Sequence, residues 1–235
     1  MRPPLTIAVA QPPCIPYDVS ANAVAHAKAV RLAQARVVVF PELSLTGYEL
    51  DADAVSPADD ALAPIVGVCE EAGATALVGA PISEDDGREY IALLCIDPGG
   101  ATVAYRKMWP GGDETPRFSP GRQPVALAVD GWRLGLGICK DTGVVEHARA
   151  TSALGIDVFV AGLVHSPSEL DEQEARAVRI AGQTGAHVAF ASFAGPTGGG
   201  FAETAGRSAI WAPDGRVLAQ AGTAPGEIAS ATIGT

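Results

Sequence analysis

Closely spaced cysteines are absent from the sequence, and aromatic residues are scarce. The four cysteines, Cys14, Cys69, Cys95 and Cys139, are widely separated and form no CxxC pair. This spacing argues against a disulfide framework and against a structural zinc site. Aromatic residues make up only 6% of the chain, whereas hydrophobic residues make up 48%, so the core must consist mainly of Ala, Val, Leu and Ile. Aliphatic cores of this kind are typical of α/β proteins.

Basic residues are also few, and long hydrophobic runs are missing. The chain has 16 Lys and Arg residues against 27 Asp and Glu residues, a formal net charge of −11, which argues against a nucleic-acid partner. Aliphatic runs such as 74–80 and 156–163 are far too short to span a membrane. Residues 1–5 show no basic region followed by an apolar stretch. We therefore expect a cytoplasmic protein without a membrane partner.

Strands and helices alternate along the chain in a pattern that favours the α/β class. Helices are predicted at about residues 20–34, 59–72, 144–154 and 168–184, with Ser20 and Ser168 capping the first and the last. Both halves of the sequence show a βαβ order followed by hairpins. This order predicts two mixed β-sheets packed face to face with helices outside, a four-layer α-β-β-α sandwich. No linker-like change of composition occurs, so residues 1–235 are interpreted as one domain.

Three reactive residues each follow a predicted strand directly. Glu42 comes after the run Val37–Pro41, Lys107 ends the hairpin strand that begins at Val103, and Cys139 follows a strand ending at Ile138. The ends of strands in α/β sheets are common places for functional sites. These three residues are therefore the first candidates for chemistry.

Each of the three also has an ordinary structural interpretation. Cys139 could be an inert buried thiol, although a helix predicted to begin nearby and the adjacent Lys140 would favour the nucleophilic thiolate. Glu42 could be an exposed charge at a strand end or a buried general base with a raised pKa. Lys107 could be solvated, or it could donate to a developing oxyanion if it lies beside the other two.

Taken together, these segments resemble the nitrilase, or carbon–nitrogen hydrolase, superfamily. Phe40–Tyr48 is similar to the general-base segment of that family, Tyr105–Lys107 to its catalytic-lysine segment and Gly137–Asp141 to its nucleophile segment. Residues 113–121 resemble the loop that carries an additional glutamate, here Glu114. The opening strand TIAVAQ and the segment 208–215 also fit the pattern. The resemblance thus covers nearly the whole chain in the family's order.

The resemblance implies a hydrolase that cleaves a non-peptide carbon–nitrogen bond without a metal or a cofactor. Glu42 would take the thiol proton and later activate water, and Cys139 would form a thioester acyl-enzyme. Lys107, with the backbone N–H of Lys140, would stabilise the oxyanion, and Glu114 would position Lys107 or the substrate. The expected partner is a small amide, ω-amide or N-carbamoyl compound.

One departure from the family pattern bears on the substrate. Nitrilases proper tend to have Trp–Glu after the nucleophile, whereas this chain has Lys140–Asp141, which favours an amide or carbamoyl substrate over a nitrile. Tyr48, Lys140 and His165 are the candidate substrate-binding residues. Lys140 could equally be a surface lysine at a helix start, and His165 could simply cap a strand.

Two other functions remain open at this point. An acyltransferase could use the same Glu–Lys–Cys triad and differ only in how water reaches the acyl-enzyme, so product analysis with an added amine would separate it from a hydrolase. A non-catalytic scaffold would have a Cys139 thiol that reacts with iodoacetamide no faster than a free thiol. The resemblance further implies a homodimer.

Overall fold

Twelve strands in two six-stranded mixed sheets make up the centre of the computed structural model, which describes residues 2–234. The first sheet has the strand order β12-β1-β2-β3-β4-β5 and the second the order β11-β10-β9-β8-β7-β6. The strands are β1 Leu5–Ala10, β2 Val37–Val39, β3 Thr75–Ser83, β4 Glu89–Asp97, β5 Gly100–Arg106, β6 Ala126–Val129, β7 Trp132–Ile138, β8 Val158–Leu163, β9 His187–Ser192, β10 Ala209–Trp211, β11 Val217–Gln220 and β12 Ile228–Ile233.

The two sheets share one pattern of pairing. Three neighbouring strands are parallel in each sheet, β1, β2 and β3 in the first and β7, β8 and β9 in the second. Antiparallel strands extend both sheets on either side of these trios. Because parallel strands point the same way, the residues that follow them collect at one edge of each sheet, where α/β proteins usually place their sites.

Four α-helices cover the outer faces of the sheets: α1 Val19–Ala33 and α2 Ala63–Ala72 on the first, α3 Val145–Ser152 and α4 Leu170–Thr184 on the second. Alternate strand residues divide between an inner and an outer core. In β2, for example, Val37 and Val39 pack between the sheets, whereas Val38 packs beneath the helices. The predicted four-layer α-β-β-α sandwich is confirmed. Within residues 2–234, no helix has the length and apolar character needed to cross a membrane.

The residues that cap two helices differ from the prediction. Asp18 rather than Ser20 caps α1, its carboxylate accepting a 2.9 Å hydrogen bond from the Ala21 N–H. A 3₁₀ turn at Pro167–Glu169 precedes α4 and is capped by Ser166 rather than Ser168, because Pro167 suits the first position of a turn and has no N–H to satisfy. Asp and Ser cap helices about equally well, so residue type alone could not choose between neighbouring candidates.

Candidate functional site

A buried lysine joins two buried carboxylates at one edge of the sandwich. The Nζ of Lys107 donates hydrogen bonds to Oε1 of Glu42 at 2.6 Å and to Oε1 of Glu114 at 2.7 Å. All three side chains are at most 2% exposed. Buried charges are costly unless they are paired, so each of the three groups depends on the others to stay charged in the folded protein. The other carboxylate oxygen of Glu42, Oε2, is buried and has no hydrogen-bond partner among residues 2–234.

Glycines from both sheets hold the backbone of Glu42. A Cβ on Gly162 in β8 would lie 2.6 Å from the carbonyl oxygen of Phe40 and 2.8 Å from the amide nitrogen of Glu42. Gly79 lies in β3 of the first sheet, and a Cβ there would collide with the Pro41 carbonyl. Only glycine permits the backbone segments to approach this closely. The backbone at Glu42, just after β2, is therefore held between β3 of the first sheet and β8 of the second.

Replacing Gly162 by alanine is therefore expected to destabilise the protein. The added methyl group meets backbone atoms that cannot rotate away, which we expect to cost about 1–3 kcal/mol of unfolding free energy. Gly182→Ala on α4 is the matched control, because a Cβ there has no neighbour within 4 Å. Urea unfolding of both variants checks the prediction, and equal stabilities for the two would contradict the clamp.

The loop between β5 and β6 delivers Glu114 to Lys107. Besides Lys107, Oε1 of Glu114 accepts a 2.6 Å hydrogen bond from the Tyr48 hydroxyl, and Oε2 accepts one from the Gly111 N–H. Three donors fix this carboxylate and favour its ionised form. Tyr48 thus contacts the charged cluster through its hydroxyl.

Burial and charge pairing set the protonation of the cluster. Burial raises the pKa of Glu42 well above its usual range; Lys107 opposes this shift, and the charges of Cys139 and Glu114 add to it. Burial would also raise the pKa of Glu114, but Lys107 and the hydrogen bonds from Tyr48 and Gly111 keep that pKa below its usual value. Although burial disfavours the Lys107 ammonium, the neighbouring negative groups raise its pKa. Lys107 and Glu114 therefore balance each other, and Glu42 is left as the group that readily exchanges a proton.

Cys139 lies at the end of β7 in a left-handed backbone conformation. Its φ of 38° is unusual for a residue other than glycine, and a 3₁₀ turn covers Cys139–Gly143. The Sγ atom lies 3.5 Å from the Val164 carbonyl oxygen and 4.0 Å from Nε2 of His165. The side chain is partly exposed, and a negative charge on its sulfur would raise the pKa of both Glu42 and Lys107. The thiol is thus the solvent-accessible member of the group.

Asp141 ties the cysteine turn to the lysine strand. Its buried carboxylate accepts hydrogen bonds from the Tyr105 hydroxyl at 2.7 Å, the Ile138 N–H at 2.9 Å and the Trp109 N–H at 2.9 Å. Tyr105 precedes Lys107 by two residues, and Ile138 precedes Cys139. One carboxylate therefore fixes the backbone on both sides of the site.

The structure does not bring Lys140 to the buried cluster. Its side chain is exposed, and its Nζ donates to the Pro110 carbonyl at 3.2 Å, which gives this cation a partner at the start of the turn. His165 is only 3% exposed and lies beside the thiol.

Within residues 2–234, no three His, Cys, Asp or Glu side chains are grouped so that they could hold a metal ion.

Several residues of the site were not singled out from the sequence. Gln173 and Arg176 reach His165 from α4, at 3.1 Å and 3.4 Å, and no motif marks them. Gly79 and Gly162 did carry a signal, since a glycine inside an aliphatic strand often marks a close backbone approach. Asp141 follows Cys139 by two residues, within the segment that resembles the family's nucleophile segment, but its residue type alone indicates no role.

The chain is similar to known proteins over nearly its whole length. The family model described as carbon-nitrogen hydrolase matches residues 6–234. A hydrolase in the pqqF 5′ region of Pseudomonas protegens is 31% identical over 230 residues, covering 93% of this chain and 79% of that protein. An amidase from Nesterenkonia sp. is 26% identical with a TM-score of 0.83, covering 97% of this chain and 90% of that chain. Saccharomyces cerevisiae Nit3, of the nitrilase superfamily, is 19% identical with a TM-score of 0.86 over 97% and 89% of the two chains, a likeness of fold.

Proposed function

This chain belongs to the carbon–nitrogen hydrolase family and is a hydrolase of the amidase type, and we propose that it cleaves a small amide, ω-amide or N-carbamoyl compound through a thioester on Cys139. The observation that carries the proposal is the buried Glu42–Lys107–Glu114 cluster together with a partly exposed thiol close enough for its charged form to raise the pKa of Glu42 and Lys107. A base with a raised pKa, a fixed cation and a nucleophile are the groups that acyl transfer requires.

In the first half of the reaction the thiol becomes an acyl carrier. Glu42 takes the Cys139 proton on its free oxygen Oε2 as Sγ forms a bond to the substrate carbon. The negative charge that develops on the carbonyl oxygen is stabilised by Lys107 Nζ and by the backbone N–H of Lys140. When this intermediate collapses, the carbon–nitrogen bond breaks and Glu42 returns the proton to the departing nitrogen, which leaves as ammonia or an amine.

In the second half water replaces the sulfur. Glu42 takes a proton from a water molecule, whose oxygen attacks the thioester carbon while the same donors hold the oxyanion. Breaking the carbon–sulfur bond releases the acid, and Glu42 returns the proton to the thiolate. Tyr48 and Glu114 keep the Lys107 ammonium in place through both halves, and Lys140 and His165 are the proposed contacts to the substrate.

A screen for ammonia release tests the proposed substrate class. Simple aliphatic amides, ω-amides and N-carbamoyl amino acids would be offered to the wild-type protein and to Cys139→Ala. We expect release from at least one class with the wild type only. Ammonia release at equal rates from both proteins would overturn the proposal.

The homodimer stays a prediction, which sedimentation velocity would check.

Replacing Glu114 by glutamine is expected to move the pH dependence of activity. Glu42 must be ionised to act as a base, and the charge of Glu114 contributes to its raised pKa. Removing that charge lowers the pKa of Glu42, so the acid limb of kcat/KM should shift to lower pH. The maximum rate should fall by about tenfold because Lys107 loses one anchor.

The matched control for this pH profile is Glu71→Gln. Glu71 is an exposed acid on α2 whose partner is Arg31, so its removal changes the net charge by the same amount far from the site. We expect its profile to coincide with that of the wild type. An unshifted acid limb in Glu114→Gln would contradict the assignment of Glu42 as the base.

A further inference from the structure

His165 is the second and longer hydrogen-bond partner of the Cys139 thiol, whose nearer acceptor is the Val164 carbonyl oxygen at 3.5 Å. The Nε2 atom of its ring lies 4.0 Å from Sγ of Cys139, and its Nδ1 lies 3.1 Å from Oε1 of Gln173. His165 is 3% exposed and Gln173 is fully buried. The ring is therefore held between the sulfur and the inner face of α4, with little freedom to turn.

Two neighbours fix which ring nitrogen carries the hydrogen. The amide nitrogen of Gln173 donates to the Gly206 carbonyl oxygen at 3.3 Å, and this carbonyl can only accept, so Oε1 of Gln173 faces the ring and requires a hydrogen on Nδ1. On the other side, Nη1 of Arg176 lies 3.4 Å from Nε2, and a guanidinium can only donate. Both constraints demand the same neutral tautomer, with the Nε2 lone pair directed toward Cys139 and Arg176.

Burial, more than the charges around it, opposes the protonation of His165. Burial and the Arg176 guanidinium lower its pKa, whereas Gln173 and the carboxylates of Glu169 and Glu42 act in the opposite direction, with a net lowering. Glu172 forms an ion pair with Nη2 of Arg176, and Nη1 of Arg176 remains in contact with the His165 ring. An imidazole held neutral in this way can accept a hydrogen bond but does not easily take a proton outright.

We propose that His165 is a further catalytic residue, which accepts the hydrogen of the Cys139 thiol and orients Sγ, and that Gln173 and Arg176 are positioning residues that keep this imidazole neutral. The proton itself then has to pass to Glu42 when the sulfur attacks. The inference rests on the proposed function, since it assigns His165 a role in activating the same nucleophile. It also gives a reason for the buried Gln173, which the Glu42–Lys107–Cys139 mechanism does not use.

Introducing a carboxylate at position 173 tests the proposal. In Gln173→Glu the new anion beside Nδ1–H should offset Arg176, so that the thiol proton moves to Nε2 and a thiolate–imidazolium pair forms. Alkylation by iodoacetamide, in which Sγ bonds to carbon and iodide leaves, is measured at about pH 6 and at about pH 8. The ratio of the rate at pH 6 to the rate at pH 8 should be about tenfold higher in Gln173→Glu than in the wild type. Gln183→Glu, an exposed change on the same helix, should leave the alkylation profile unchanged.

Further variants keep the test decisive if Gln173→Glu folds poorly. Arg176→Gln removes the opposing cation from a partly exposed position and should also raise the rate at acidic pH. His165→Ala should lower kcat/KM by about tenfold or more, and His165→Gln, whose amide oxygen can reach the place of Nε2, should recover part of that loss. The gain at acidic pH should vanish in the double variant His165→Ala/Gln173→Glu.

The result that would overturn this role is distinct from failure of the proposed function. Alkylation profiles of Gln173→Glu and Arg176→Gln that match the wild type, in folded proteins, would exclude His165 from thiol activation. If Cys139→Ala abolished turnover in the same preparations, the proposed function would stand without it. A gain that persisted in His165→Ala/Gln173→Glu would likewise overturn the role of His165.

Discussion

Cys139→Ala is expected to lower kcat/KM for ammonia release by at least about 10⁴-fold, because the proposed mechanism passes through an acyl group carried on Cys139. The fold should be retained, since the side chain is partly exposed and its backbone turn is held by Asp141. Alanine tolerates the left-handed φ of 38° no better than cysteine, so little change in unfolding free energy is expected. Steady-state assays with the best substrate, together with urea unfolding, check both expectations.

Cys14→Ala provides the matched control for this loss. Cys14 is also a free, partly exposed thiol, and burial with the nearby Glu49 raises its pKa to about 12, so it is a poor nucleophile at neutral pH. We expect Cys14→Ala to keep wild-type activity. Comparable losses in the two variants would indicate a structural effect of removing a thiol and would contradict the assignment of Cys139.

Lys107→Met is expected to lower activity strongly and to destabilise the fold at the same time. Methionine is close to lysine in shape, but it leaves the buried carboxylates of Glu42 and Glu114 without their shared cation. Removing one partner of a buried ion pair typically costs about 3–5 kcal/mol of unfolding free energy. The loss of the oxyanion donor should lower kcat by about 10²–10³-fold. Urea unfolding and steady-state kinetics measure the two effects separately.

A double variant separates the structural role of Lys107 from its chemical role. In Lys107→Met/Glu114→Gln one buried carboxylate has been neutralised, and the raised pKa of Glu42 allows that group to become neutral by taking up a proton. Much of the lost stability should therefore return, while activity should not. Recovery of both stability and activity would mean that Lys107 serves only to neutralise charge.

Much of the fold could be predicted because its signals are local. Aliphatic runs bounded by Pro and Gly marked most strands, and βαβ order predicted parallel strands covered by helices. Glu42, Lys107 and Cys139 stood out because each follows a strand, and strand ends are common places for functional sites in α/β proteins. The resemblance added Glu114, whose loop carries no periodic pattern, and the family it pointed to is confirmed.

Other features depend on contacts that a sequence pattern does not encode. Gln173 and Arg176 are two of many polar residues on α4, and only the packing of that helix against the second sheet turns them toward His165. Lys140 donates to the Pro110 carbonyl, a partner that its position directly after Cys139 does not indicate. The orphaned Oε2 of Glu42 arises because Lys107 approaches from one side only, which is a matter of geometry.

Intact-protein mass spectrometry during turnover tests the central claim most directly. Acid quenching of the wild type with its best substrate should reveal a population heavier by the mass of the substrate minus ammonia or amine, and peptide mapping should locate this addition on Cys139. Cys139→Ala should show no such species. Full turnover without any adduct, or an adduct located on another residue, would contradict a thioester on Cys139.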